Sequence, residues 1–284
     1  MSDPYQVPVP QPVAPVPSGP VDTSSWFCRD PVKGSHFTYS IGGIDDEGIF
    51  EGSRRYNDFY ALREHLVRNW PGVYIPPIPP KKMTGNKDER FVEDRVIFLD
   101  RFMKQISTHQ HLTGSDTFKA FTRPSGEIEK MLAMHPKPTP ESIVDKFKTA
   151  LFVDEFPDEM LVKNSRESIN DFSAFCKRIA PVLSKIKSES SKWVPIKTHH
   201  NHSFKSLIDL LGRYEEETLT TYCDSNANKL VVGDINDTEL KEKAESMHTE
   251  LRNPYEEFYH WVRGECNDVE ALYEAIRGRD RLVE

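Results

Sequence analysis

The chain has 284 residues and a net charge of −8, long enough for two domains and too acidic for broad attraction to nucleic acid or anionic lipid. The charge is uneven: residues 22–123 are close to neutral, and the acidic excess lies in 124–284, so any anion binding in the first part must come from local clusters. Cys28, Cys176, Cys223 and Cys266 show no paired spacing, no leader-like segment opens the chain and no apolar run approaches the ~20 residues of a spanning helix, which together predict free thiols and a cytoplasmic protein.

Residues 1–22 hold a third of the chain's 21 prolines and no Lys or Arg. This composition predicts an extended tail with polyproline character rather than a folded element. From Trp26 to Arg55 the pattern predicts three strands. Trp26-Phe27-Cys28 opens the first, His36 to Ile41 alternates as the second, and Ile49-Phe50-Glu51-Gly52 begins the third. Gly42-Gly43 and Asp45 to Gly48 read as the turn.

The third strand delivers Arg54-Arg55-Tyr56-Asn57-Asp58-Phe59. Asn57 is positioned to cap the next helix, whose inner face is Phe59, Leu62 and Leu66. Trp70-Pro71-Gly72 ends that helix, and a rigid run follows, Ile75-Pro76-Pro77-Ile78-Pro79-Pro80-Lys81-Lys82. Arg meets phosphate through a planar two-pronged fork and Lys meets it as a point charge. A proline loop holds its cation without further ordering on binding. An aromatic face between two such cationic groups predicts a pocket for a phosphorylated ring. A second helix spans Lys87 to Ile106 with Arg95 at the edge of its apolar stripe, and a short one around Asp116 to Phe121 closes the domain.

Pro124, Pro136, Pro138 and Pro140 mark a linker. Beyond it Ile143, Phe147 and Leu151 fall on one helical face, read as packing on a neighbour in preference to lying on a membrane. Two heptad seams follow: Ile169, Phe172, Cys176, Ile179, Leu183 and Ile186, then Phe258, Val262, Glu265, Val269, Leu272 and Ile276. Pro181 is expected to kink the first. Phe204 to Tyr222 reads as a separate amphipathic helix, and His199-His200-Asn201-His202 as a solvated loop without metal-ligand spacing. No nucleophile, carboxylate pair or phosphate-cradling Gly loop stands out, so the chain is read as a non-enzyme without cofactor or metal.

The stretch from Ser24 to Thr122 resembles a phox-homology (PX) domain, and the whole chain resembles a sorting nexin. The shared residues are Arg54-Arg55-Tyr56-x-Asp58-Phe59, the Pro-Pro-Ile-Pro-Pro-Lys loop ending at Lys81, and Phe91-Val-Glu-Asp-Arg95-Val-Ile-Phe-Leu99. Asn57 departs from members that carry another Arg there. The resemblance implies an α+β PX domain, with a three-stranded antiparallel sheet packed on helices and a proline-rich loop. An all-α, BAR-like helical region of the kind that forms dimeric coiled-coil arches would follow. The implied divisions are a tail at 1–22, the PX domain at 23–123, a linker at 124–140 and helices at 141–284, expected to be incomplete.

It also implies phosphatidylinositol 3-phosphate as ligand. Arg55 would meet the 3-phosphate, Tyr56 would pack on the ring, Lys81 would meet the 1-phosphate and Arg95 the ring hydroxyls. Lys82 and Met83 would contact the membrane, where burying one Met contributes roughly 1.5–3 kcal/mol. The expected setting is the cytoplasmic face of the early endosome. Expected partners are a homo- or heterodimeric sorting nexin and cargo or coat subunits, with no nucleic acid. The alternative implied by the same fold is a scaffold or cargo adaptor whose PX domain holds peptides. A regulatory piece of a larger enzyme fits the helical second half less well.

Overall fold

The computed structural model describes residues 25–81, 89–123, 127–151, 158–214 and 253–283. They fall into two compact units, one drawn from Met1–Asp158 and Glu274–Glu284, the other from Glu159–Tyr273.

The first unit opens with an antiparallel sheet in the order β1-β2-β3, with β1 at Phe27–Lys33, β2 at Phe37–Asp45 and β3 at Gly48–Arg55. A register shift between Arg29 and Val32 bends β1, and Asp30 takes φ 53° there. Asp45 pairs with Gly48 to close the β2–β3 hairpin, where Gly48 has φ 107°. Gly42 and Gly43 are not the turn expected of them, because both lie inside β2, paired with Glu51 and Phe50. A Cβ on Gly43 would stand 2.8 Å from both the Phe50 and Trp26 rings. Glycine here makes room for aromatic packing inside a strand.

Helix α1 covers Tyr56–Asn69 and α2 covers Glu89–Ser107; α3 at Gln110–Thr113, α4 at Asp116–Thr122, α5 at Ile128–Met134 and α6 at Pro140–Leu151 complete the unit. Phe59, Leu62 and Leu66 of α1 are buried against Leu99, Phe102, Met103 and Ile106 of α2. The Phe59 ring meets Phe121 edge-on at 4.9 Å and Phe102 at 6.0 Å. The sheet adds Tyr39, Ile41 and Phe50 to the same core. The Cys28 amide donates to Asp100 Oδ1 at 3.0 Å, tying β1 to α2. Burial and the nearby Asp100 carboxylate push the Cys28 thiol far up, so it is an inert core thiol.

One element of this unit was hidden in a stretch read otherwise. The stretch 124–140, read as a linker, contains α5, whose Ile128 and Leu132 are buried in the core. Helix α6 packs on that core as expected, with the Phe147 ring stacked on Trp70 at 5.6 Å.

The second unit is built from α7, Glu159–Tyr214, and most of α8, Pro254–Val283. Helix α7 runs through Pro181, Pro195 and the His199-His202 stretch. The predicted loop and the separate helix from Phe204 are therefore parts of one element, as far as Tyr214; residues 215–222 lie outside the described residues. At 100° per residue the three histidines point in different directions, and no metal-holding cluster occurs among the described residues. Helices α7 and α8 are antiparallel. Asn253 donates to the Val194 carbonyl at 3.0 Å, Trp193 stacks on Tyr255 at 5.6 Å, and Lys187 faces Cys266. Cys176 and Val262 are the buried seam residues, whereas Phe172 and Phe258 of the predicted seams stay exposed. No helix among the described residues is long and apolar enough to cross a membrane.

Candidate phosphate-binding site

Strand β3 alternates, and that alternation separates the two arginines. Phe50, Gly52 and Arg54 face inward, and Glu51, Ser53 and Arg55 face outward. Arg54 is 5% exposed. Its Nε donates to the Phe121 carbonyl at 2.6 Å and its Nη1 to the Ser53 carbonyl at 2.7 Å. It ties the sheet to α4 and is not a surface cation.

Arg55 is the N-cap of α1. Its backbone N–H donates to Asp58 Oδ2 at 2.9 Å, and its Nε donates to Asp58 Oδ1 at 3.2 Å. Asp58, not Asn57, therefore organises the helix start, because only the third helical position reaches back to the cap amide. The same carboxylate orients the guanidinium, whose Nη2 lies 3.4 Å from Glu129 Oε2 of α5.

Tyr56 begins α1 and is buried. Its hydroxyl donates to the Pro79 carbonyl at 2.5 Å. One turn on, Arg63 Nε donates to the Pro76 carbonyl at 2.9 Å. The proline loop is thus pinned to α1 at two points. Burial pushes the Tyr56 hydroxyl up to about 12, against the opposing pull of Arg95.

Arg95 sits in the second turn of α2, 7% exposed. Its guanidinium lies 3.9 Å from the Tyr56 ring centre and 4.3 Å from that of Phe91. Its Nε is buried with no hydrogen-bond acceptor among the described residues. Lys81 is exposed, with Nζ 4.9 Å over the Tyr60 ring. Tyr56 and Tyr60 are four residues apart and share a helix face. They form two aromatic rungs, one carrying Arg95 and the other Lys81. The residue reading missed Tyr60 and Phe91, although their four-residue spacing from Tyr56 and to Arg95 was visible. Lys82 and Met83 lie outside the described residues.

Sheet, helices and cation-bearing rings define a class: a PX fold followed by long antiparallel helices. The PX domain family matches residues 43–125. The vacuolar protein sorting-associated protein vps5 of Schizosaccharomyces pombe is 44% identical over 68 residues, 24% of this chain and 12% of that protein. Sorting nexin-4 of Cryptococcus neoformans is 35% identical over 130 residues, 40% of this chain and 26% of that protein. Sorting nexin MVP1 of Saccharomyces cerevisiae is 26% identical across 63% of this chain and 36% of its own length. The match to each of these relatives therefore spans well under half of the relative's length. The solved structure of the SNX-BAR Mvp1 tetramer superposes with a TM-score of 0.52 at 18% identity, covering 90% of this chain and 72% of that one. Residues 43–125 thus carry a PX domain, and the chain shares with that structure a fold in which long helices follow it.

Proposed function

We propose that this chain is a peripheral membrane-recruitment protein of the trafficking machinery that binds phosphatidylinositol 3-phosphate. Arg55 and Lys81 take the two phosphates, Tyr56 forms the ring floor, Arg95 meets the hydroxyls, and Lys82 and Met83 touch the bilayer. The protein acts on the cytoplasmic face of early endosomes as a homo- or heterodimer with another sorting nexin.

The observation that carries this reading is Arg95. A buried guanidinium with an unpaired Nε–H is costly unless something accepts from it, and here it stands on two aromatic rings beside a pinned proline loop. Charge-assisted hydrogen bonds to a phosphorylated ring would satisfy it. Flotation with phosphatidylcholine vesicles containing phosphatidylinositol 3-phosphate tests the site. Wild type floats and Arg55→Ala stays in the soluble fraction; equal flotation of the two refutes the pocket.

A further inference from the structure

A second cationic site, sharing no residue with the first, lies at the other end of α1. A cavity of about 550 Å³ is walled by the last turns of α1 and α8, by Lys137-Pro138 and by Ile143 of α6. Arg68, Lys137, Arg277 and Arg281 line it, against Glu64 and Glu274. Glu274 is already held, because Arg63 Nη2 donates to its Oε2 at 2.7 Å. None of the four cations has an ion-pair or hydrogen-bond partner among the described residues. The chain as a whole carries −8, so this excess of positive charge runs against its surroundings.

Ordinary helix electrostatics explain half of it. Arg68 and Arg281 occupy last turns, where a cation complements the helix dipole. Lys137 lies on the segment before α6, and Arg277 stands one full turn before Arg281 on the same face, a like-charge spacing that costs a few tenths of a kcal/mol (about 0.2–0.5) in an isolated helix. Neither placement helps the fold. The wall itself is fixed. A Cβ on Gly278 would come 3.3 Å from the Gly72 amide nitrogen, so the α8 backbone lies directly on the turn after α1. Gly72 has φ 88°, which keeps that turn tight.

The volume lies within the range of small-molecule sites, about 300–1,000 Å³. Cations from two helices and a connecting segment approach from separate directions, which suits several phosphates better than one carboxylate. No aromatic side chain lines the wall, so nothing offers a stacking face for a nucleobase. Val67, Pro71 and Ile143 offer a small apolar floor.

We infer that this cavity binds a multiply phosphorylated polyol headgroup, either as a membrane lipid or as a free inositol polyphosphate. The inference is independent of the Arg55 site.

Calorimetric titration of the full chain with inositol hexakisphosphate probes the free form. Flotation with phosphatidylcholine vesicles carrying phosphatidylinositol 4,5-bisphosphate probes the lipid form. Wild type and Arg55→Ala bind alike in at least one arm, and Lys137→Ala/Arg277→Ala binds at least about tenfold more weakly in that arm. Response in the titration assigns a soluble ligand, and response in flotation alone assigns a lipid. The exposed-charge single variant Arg277→Gln, with its far-ultraviolet dichroism compared to wild type, separates lost binding from lost folding. Silence of wild type in both arms overturns the inference. So does undiminished binding by the double variant, or binding that disappears with Arg55→Ala alone.

Discussion

Adjacent arginines divide between core and surface because a strand turns consecutive side chains to opposite faces. Arg54→Ala removes the donor to the Phe121 carbonyl, a charge-assisted bond worth roughly 1.5–3 kcal/mol. Its urea midpoint should fall, with vesicle binding by the remaining folded protein intact. Arg55→Ala should do the reverse, since Arg55 is part-exposed and held by Asp58 and Glu129. The block Arg54 to Phe59 was legible because it is short and local. The inward path of Arg54 was latent in its two-residue spacing from Gly52 and Phe50. A buried residue with a pH consequence is His65, whose pKa burial lowers from 6.5 to about 4, assisted by His135, Arg68 and Lys146. The folded state refuses a proton that the unfolded state accepts below 6.5. Stability should therefore be unaffected above 6.5 and fall by about 1.4 kcal/mol per pH unit as pH drops towards 4. Urea midpoints for wild type and His65→Gln across that window check it; the variant loses less, with a residual slope from His111, which burial also depresses.

Long, periodic elements were the most readable, and α1 and α2 lie close to where Phe59-Leu62-Leu66 and Phe98-Leu99-Phe102 placed them. Helix α5 was hidden for a physical reason. Seven residues between Pro124 and Pro136 are too short to show a helical period, and only the core that Ile128 and Leu132 enter holds them helical. The long α7 was broken in error at the histidines, where tertiary context overrides local propensity. Helix α5 also brings Glu129 to Arg55. That carboxylate competes with any phosphate for the guanidinium. Glu129→Gln should raise affinity for phosphatidylinositol 3-phosphate vesicles a few fold, while the urea midpoint moves by less than about 1 kcal/mol, the usual limit for an exposed pair.

Over the second unit, large apolar side chains remain uncovered. Phe172, Phe175, Trp193 and Ile196 of α7, with Phe258 and Trp261 of α8, are each roughly half exposed. Phe172 stacks on Phe175 and Phe258 on Trp261, so the surface is ordered rather than scattered. Exposed aromatic clusters of this kind mark candidate association surfaces. The heptad spacing revealed the seam but not which of its residues close within the chain. Cys176 and Val262 do so, and Phe172 and Phe258 do not. Phe172→Glu should convert the proposed dimer to a monomer by size-exclusion chromatography with light scattering. It should also lower vesicle affinity, since the second binding event is no longer intramolecular.

Arg63 spans two jobs with one planar group. Its Nε fixes the Pro76 carbonyl, and its Nη2 grips Glu274 on the last turns of α8. An anion in the neighbouring cavity would repel Glu274 and loosen its grip on Arg63, and with it the proline loop that presents Lys81, whereas a filled headgroup pocket would stiffen that loop. Linkage makes this traffic two-way: whatever factor one ligand imposes on the other's dissociation constant is returned unchanged. A single side chain would then set the two anions against each other, each weakening the hold on the other.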